Sequence, residues 1–363
     1  MKTSCLLSFL LLTTSLFAND QYLFKNTPFK APVKPLAYTV VQYRPTPAKE
    51  KDKPAFSLTN VLQLEERLKE KIHGQNSAIE STVQSIVRYA AGLNDPESPI
   101  ATLLYIGPTG VGKTELAKQL AQELTGSKAG FIRLDMSEYT EPHTVSRLIG
   151  TPPGYVGYDM GGQLTESIKA RPNSIILLDE IEKAHPNVAQ IFLQAFDDAR
   201  ITDAKGNVVD CRKCLFILTT NLASSSILRL QQANTPYEEI VKAIQPQLMA
   251  SLSPELYNRL EVVLFTGLSN ASFKRVVNRM LDSVCVRIKA NKGITLNFDP
   301  SVVQFLVEKG YQYELGARPL KRLINKEIVT SLGYTMIQET FEPGSELKVS
   351  YKNGKIIIEK SSS

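Results

Sequence analysis

The sequence contains no run of five or six basic residues, although 42 lysines and arginines outnumber 36 acids and leave a formal charge of +6. A nucleic-acid surface reads as a basic stripe or cluster, so no nucleic-acid partner is expected. Cysteine is scarce. Of the four cysteines, Cys5 lies in the apolar first residues, and the remaining Cys211, Cys214 and Cys285 make an odd number that argues against a disulfide framework. Cys211 and Cys214 have CxxC spacing, but they run straight into the strand-like 215–219, and the three histidines stand at no metal-ligand spacing. Structural thiols are expected there rather than a zinc or redox site. A long hydrophobic run is missing too: residues 1–18 are apolar but short and broken by Ser and Thr, too little for a comfortable membrane span. Their cationic start and the small residue at Ala18 read as a secretory signal, cleaved or kept as an anchor. Internal repeats are absent.

What is present is enough chain, 363 residues at 43% hydrophobic content, for two or three domains with sizeable cores. Residues 19–56 carry six prolines without a helical period and read as a linker or arm, with one candidate strand at 36–43. Helical spacing is expected over 57–72 and 76–91, then a buried strand at 101–106. Further strands are expected at 131–135, 174–180 and 215–219, alternating with helices at 142–149, 163–170 and 187–199, with a hairpin at 201–209 turning at Gly206. Continuous apolar strands alternating with helices predict an α/β fold with a parallel sheet between helix layers. Beyond Ala223 amphipathic stretches at 236–251, 272–291, 300–309 and 318–332 predict a helical subdomain. Asn353-Gly354 between β-branched and aromatic residues predicts a closing hairpin over 347–359. The expected domains are 1–18, 19–56, 57–268 and 269–363.

The chemistry begins at Gly107, Pro108, Thr109, Gly110, Val111, Gly112, Lys113 and Thr114, read GPTGVGKT. Strand, glycine-rich turn and helix are the context of a phosphate-binding loop, in which backbone N–H groups and the helix dipole face the anion. Lys113 would reach the β- and γ-phosphates of ATP, and the Thr114 hydroxyl would ligate Mg2+. The apolar strand ending in Asp179 and Glu180 supplies the second half: Asp179 for the metal, Glu180 to polarise the attacking water.

Four blocks, GPTGVGKTELAKQLAQEL, LDMSEYTEPHTVSRLIGTPPGYVGY, GGQLTESIKARPNSIILLDEIEKAHP and GARPLKR, together resemble the second ATPase module of the Clp family of AAA+ P-loop NTPases, protein unfoldases and disaggregases. The resemblance runs from about Leu58 to Glu359. It implies that Asn221 is a first sensor positioning the hydrolytic water, that Arg318 is a second sensor, and that Arg259 is an arginine finger reaching a neighbouring subunit's site. It implies an adenine pocket at Ile72 and His73, the latter standing where an aliphatic residue is commoner. Tyr155 and Val156, in a glycine-rich loop, would form the pore loop that grips polypeptide. The expected function is thus an ATP-driven unfoldase or remodelling chaperone, ATP and Mg2+ its cofactors, unfolded or aggregated polypeptide its substrate, and a homo-hexameric ring its assembly.

Departures from the family pattern qualify this. No first ATPase module, recognition domain or middle domain stands before Leu58, and no Leu-Gly-Phe or Ile-Gly-Phe tripeptide lies in 223–245, so a Clp peptidase partner is not expected. An ATP-switched scaffold or assembly factor acting on a secretory or membrane partner without threading is the alternative. The signal-like start predicts an exported or membrane-associated protein, with a cytoplasmic location as the alternative because hydrolysis needs ATP.

Overall fold

Strand β1 (Ala101–Ile106) is central in a five-stranded parallel sheet of order β2-β3-β6-β1-β7. The computed structural model describes residues 58–126, 130–154, 161–312 and 314–360. The signal-like start and the proline-rich arm lie outside the described residues. Before β1 come helices α1 (Leu58–Leu62), α2 (Leu64–Lys71) and α3 (Asn76–Ala90). The single helix expected over 57–72 is divided at Gln63, whose ψ of −2° takes it off the helical ladder.

After β1 follow α4 (Lys113–Thr125), β2 (Phe131–Asp135), α5 (Val145–Ile149), α6 (Gln163–Ala170), β3 (Ile175–Asp179) and α7 (Pro186–Asp198). The hairpin of β4 (Arg200–Thr202) and β5 (Val208–Asp210) leads to β6 (Leu215–Thr220), α8 (Ser224–Gln232), α9 (Tyr237–Ser251), α10 (Pro254–Tyr257) and β7 (Glu261–Leu264). Three of these, α8, α10 and β7, were not legible in the sequence pattern.

Side chains alternate across each strand, and the two faces bury separate cores. Leu103, Tyr105, Leu177 and Ile217 pack against α1 to α4 through Val61, Leu68, Ile79 and Leu116. Leu104, Ile176, Leu178 and Phe216 pack the other way, against α5 to α7 through Leu148, Ile168 and Phe192. This is the helix-covered parallel sheet that unbroken apolar strands predict. Because all five strands run the same way, their carboxyl ends share one edge. Gly107, Asp179, Asn221 and Asp135 therefore lie at or just past neighbouring strand tips, the crevice in which open α/β sheets bind ligands.

Residues after β7 build a separate core from α11 (Asn270–Lys292), β8 (Thr295–Phe298), α12 (Pro300–Gly310), α13 (Arg318–Leu323), a π-helical segment Ile324–Val329, α14 (Thr330–Gln338), β9 (Glu346–Lys352) and β10 (Lys355–Lys360). The closing hairpin forms as expected, with Asn353 and Gly354 at φ of 52° and 79°, both positive as a type I′ turn requires. It is part of something larger, however: β8 pairs parallel to β9 and makes a three-stranded sheet. Only four residues long, β8 carries too short an alternation to stand out in the sequence.

Cys211 and Cys214 are free thiols buried completely. Hydrogen bonding to Cys214, then burial, pushes the Cys211 thiol far above its usual range, so Cys211 stays a protonated, unreactive thiol. Among the described residues no group of three or more His, Cys, Asp or Glu could hold a metal by itself.

Candidate nucleotide site

A cleft of about 850 Å³ opens at the carboxyl edge of the sheet, walled on one side by the phosphate-loop residues and on the other by α11 and α13. It is lined by Ile72, His73, Thr109, Gly110, Val111, Gly112, Lys113, Thr114, Asp179, Glu180, Asn221 and Arg318. Gly107 and Pro108 lie behind it, where their carbonyls accept hydrogen bonds from the Lys113 ammonium at 2.5 and 2.9 Å. The same ammonium donates to Asn221 Oδ1 at 2.8 Å. Burial lowers the Lys113 pKa to about 8, against the upward pull of Glu182, Asp179 and Glu180. The charge is thus held at the floor of the cradle in a low-dielectric setting, where an anion would gain most from it.

Gly110 shows why the loop has its sequence. Its φ is +76°, and a Cβ there would sit 2.2 Å from the Leu315 carbonyl oxygen. The loop ahead of α13 is therefore pressed directly onto the phosphate loop, with the Ala317 N–H donating to the Gly110 carbonyl at 3.0 Å. Arg318, the next residue, is placed at the cleft wall by that contact.

Asp179 ends β3 buried, and its carboxylate is fixed from two neighbouring strands. Arg133 on β2 donates to Oδ2 through Nε at 3.1 Å and Nη2 at 2.6 Å, and the Thr219 hydroxyl on β6 donates to Oδ1 at 2.5 Å. Glu180 follows with a left-handed φ of 60°, a conformation costing a non-glycine residue about 1–3 kcal/mol. Its N–H donates to Thr219 Oγ1 at 3.1 Å and its carboxylate meets Lys183 Nζ at 2.5 Å. The strained turn brings the Glu180 side chain to the cleft instead of continuing the strand.

The Asn221 amide oxygen also accepts from Thr109 Oγ1 at 3.4 Å, and its backbone N–H donates to Glu182 Oε1 at 3.2 Å. Glu182 Oε2 is buried without a hydrogen-bond partner. Arg133, Thr219, Glu182 and Lys183 were not singled out by sequence pattern: Arg133 and Thr219 reach Asp179 from adjoining strands, and Glu182 and Lys183 follow Glu180 within three residues.

Ile72 and His73 line the cleft together with Leu268, Val276 and Met280, apolar lining suited to a planar base. Val276 and Met280 are four apart on α11, one helical face. Burial, then the charges of Arg279 and Arg275, lowers the His73 pKa, which favours a neutral ring at neutral pH.

Arg259 is elsewhere. Its carbonyl accepts from Thr102 Oγ1 at 2.6 Å, at the amino end of β1, whereas the phosphate loop follows the carboxyl end. Five residues at about 3.3 Å each separate those ends by roughly 17 Å, beyond the reach of one side chain. The guanidinium instead pairs with Asp197 and donates to the Glu255 carbonyl at 2.6 Å. Tyr155 and Val156 lie outside the described residues.

Two family models match in succession: the AAA domain of the Cdc48 subfamily over residues 98–263, and the C-terminal D2-small domain of ClpB protein over residues 268–349. Among similar proteins, Chaperone protein ClpB 1 of Synechococcus elongatus is 43% identical over 302 residues, 83% of this chain and 34% of that protein. Heat shock protein 100 of Trypanosoma brucei brucei is 43% identical over 295 residues, 81% of this chain and 34% of its own. Chaperone protein ClpB of Bacillus anthracis is 43% identical over 300 residues, covering 82% and 34%. The chain spans about a third of the length of the curated relatives it matches.

These relatives correct the expectation of an exported or membrane-associated protein with a signal peptide. Their names are those of ClpB chaperones, which gives a signal peptide no support, and the cytoplasmic alternative fits a site built for ATP. The apolar start that prompted the other reading is short and interrupted by hydroxyl residues. No helix among the described residues is long and apolar enough to cross a membrane. A phosphate loop and paired strand-tip acids on a five-stranded parallel sheet, joined to a D2-small domain, place the chain in the Clp family of AAA+ ATPases, as its C-terminal ATPase module.

Proposed function

We propose that this chain hydrolyses ATP to unfold or disaggregate polypeptide, working as a homo-oligomeric ring. The observation that supports it best is the division of the expected site residues. Lys113, Thr114, Asp179, Glu180, Asn221 and Arg318 converge on one cleft, while Arg259 stands at the far end of the sheet. A finger that cannot reach its own cradle is useful only to a neighbour, and a head-to-tail contact that closes makes a ring.

In this reading Lys113 and the phosphate-loop N–H groups bind the β- and γ-phosphates. The donor set fits Mg2+, which takes one or two protein oxygens and keeps phosphate and water for the rest: the Thr114 hydroxyl and the Asp179 carboxylate would hold it, and it would neutralise charge on the β- and γ-oxygens. Glu180 accepts a proton from the attacking water, after release from Lys183, and Asn221 orients that water. Arg318 contacts the γ-phosphate from the small domain, and Arg259 does so from the next subunit. Ile72 and His73 receive the base. The domains divide as 57–268 and 269–363, with 1–18 and 19–56 preceding them. Tyr155 and Val156 line the pore and grip the chain being pulled, a role resting on family resemblance and on the glycines around them.

Glu180→Gln tests the hydrolysis site: turnover should fall by about 10²–10⁴-fold with ATP still bound, and wild-type turnover would sink the assignment. Tyr155→Ala tests threading: recovery of an aggregated model enzyme should be lost while basal hydrolysis persists.

A further inference from the structure

Between the end of β7 and the start of α11 only five residues, 265–269, connect the sheet domain to the helical one. Each is held. The Phe265 N–H donates to the Ile106 carbonyl at 2.7 Å and extends the β1–β7 ladder. The Leu268 carbonyl accepts from the Tyr311 hydroxyl at 2.8 Å, and Ser269 Oγ caps α11 by accepting from the Ser272 N–H at 3.2 Å. The two central peptides are treated differently from these ends. The Thr266 N–H and carbonyl are taken by Gln75, at 3.2 and 2.9 Å. The Gly267 N–H and carbonyl are taken by Gln231, at 2.7 and 3.0 Å.

A side-chain amide that both accepts from and donates to one residue's main chain does the work of a neighbouring strand, without belonging to one. All four polar groups of the two peptides are satisfied, as partly buried main chain requires. Because the partners are rotatable side chains and not a ladder, they can be exchanged one at a time when the peptides turn. Two such brackets on adjacent residues fix φ and ψ at the middle of the linker, and thus the angle at which α11 leaves the sheet.

The two glutamines are tied to the phosphate loop by different routes. Gln75 also donates to the Val111 carbonyl in the phosphate loop at 3.2 Å. Gln231 ends a rod that begins at the same loop: α8 starts at Ser224, whose hydroxyl donates to the Asn221 carbonyl at 2.5 Å and to the Gly107 carbonyl at 3.4 Å. Seven residues further along the helix, roughly 10 Å along the axis, α8 delivers Gln231 to Gly267. A tilt of the Asn221 turn is thus transmitted to the linker by a single helix hydrogen-bonded at both ends. Downstream of the linker, the helical domain carries Arg318 to the cleft wall.

We propose that Gln231 is a positioning residue for ATP hydrolysis: by bracketing Gly267 it sets the angle between the two domains and, through that angle, the placement of Arg318. This rests on the reading of Arg318 as a γ-phosphate contact. Gln231 does not line the cleft, so its removal acts on rate and spares affinity.

The experiment uses the full chain, with steady-state ATP hydrolysis, binding of a fluorescent nucleotide and thermal melting measured for each variant. Gln231→Ala is expected to lower kcat by about tenfold or more, an ångström-scale misplacement at a reacting centre being worth up to about 10²-fold. Nucleotide affinity and melting temperature should stay near wild type. Gln231→Glu, the same shape with a carboxylate set against the Gly267 carbonyl, should be no better than alanine. In an Arg318→Ala background, Gln231→Ala should add less than about twofold, because residues acting through one another are non-additive. Wild-type kcat in Gln231→Ala, with Arg318→Ala slow, overturns the proposal and leaves the Arg318 reading intact. Effects that multiply in the double variant overturn it also, as does a loss of kcat matched by lost nucleotide binding and early melting. A silent Arg318→Ala beside a slow Gln231→Ala sinks the Arg318 reading and supports the hinge bracket alone.

Discussion

Gly110→Ala separates phosphate binding from domain contact, because the phosphate-loop pattern fixes Gly107 and Gly112 but leaves position 110 free. The methyl group would stand 2.2 Å from the Leu315 carbonyl oxygen, so the facing loop must retreat by about 1.2 Å to regain an ordinary 3.4 Å contact. The left-handed φ of +76° adds about 1–2 kcal/mol of backbone strain. The Ala317 N–H to Gly110 carbonyl bond, 3.0 Å long, is stretched past usefulness, a further loss of about 1 kcal/mol. Arg318 follows Ala317 directly and moves with it. A shift of about 1 Å in a group that contacts the reacting phosphate corresponds to about 10²-fold in kcat. The phosphate-loop N–H groups and Lys113 remain, so nucleotide affinity should fall by less than about tenfold. Gly316→Ala is the graded control: its Cβ meets the Gly110 carbonyl oxygen at 2.7 Å, which calls for a retreat of about 0.7 Å. Hydrolysis and fluorescent-nucleotide binding, measured on both variants, should give kcat in the order wild type, Gly316→Ala, Gly110→Ala. Wild-type kcat in Gly110→Ala, or a reversed order, would refute the reasoning.

Arg259→Ala should slow hydrolysis by about 10³-fold or more while leaving nucleotide affinity of isolated subunits unchanged, and mixing it with Lys113→Ala protein should restore part of the turnover; no recovery on mixing counts against a finger in trans. The Lys113 pKa is lowered from 10.5 to about 8, chiefly by burial, so the free protein loses this charge as pH rises through 8. A bound phosphate restores the proton, and ATP affinity should therefore weaken by up to about tenfold per pH unit above 8. In Lys113→Ala that dependence should vanish; an affinity constant from pH 7 to 9.5 in the parent contradicts it. The same shift makes folding stability rise with pH between about 8 and 10.5, since the unfolded chain binds the extra proton there. Cys211 and Cys214, buried and hydrogen-bonded to the Val209 and Pro172 carbonyls, should resist a thiol reagent until denaturant is added. Rapid native labelling at either position would contradict their burial.

What the sequence made legible was local. GPTGVGKT, the Asp179-Glu180 pair and the apolar strands before them are contiguous, and their spacing alone implies strand, loop and helix. Arg133 and Thr219 escaped notice because each meets Asp179 across a strand boundary, 46 and 40 residues away. Parallel strand order is set by helix packing over the whole domain, so no local pattern announces which residues become lateral neighbours. Gln75 and Thr266 are 191 residues apart and were equally hidden. Strands β7 and β8 were missed for a different reason: four residues are too few to show a period, and both are held by partners that supply most of the ladder. The apolar start shows the converse error, a local pattern read as an address although the matched relatives are ClpB chaperones.

The phosphate loop is tight on two sides, and that is where chemistry can become motion. Gly107 faces the Phe265 carbonyl so closely that a Cβ would lie 2.3 Å from its oxygen, and Gly110 faces the Leu315 carbonyl at 2.2 Å. The first contact is the start of the domain linker; the second is the loop that carries Arg318. A loop packed at van der Waals distance against both cannot adjust to a gained or lost γ-phosphate by itself. Packed interfaces repack between discrete arrangements and do not deform smoothly, so a shift of a few tenths of an ångström at the phosphates must pass to the linker or to the small domain. Because the Gln75 and Gln231 brackets on the linker can be exchanged as its peptides turn, the small domain is the part left to swing. Rotation of that domain against the sheet, gated by the γ-phosphate, is what a ring would need in order to move a neighbour's Arg259 toward or away from the shared cleft.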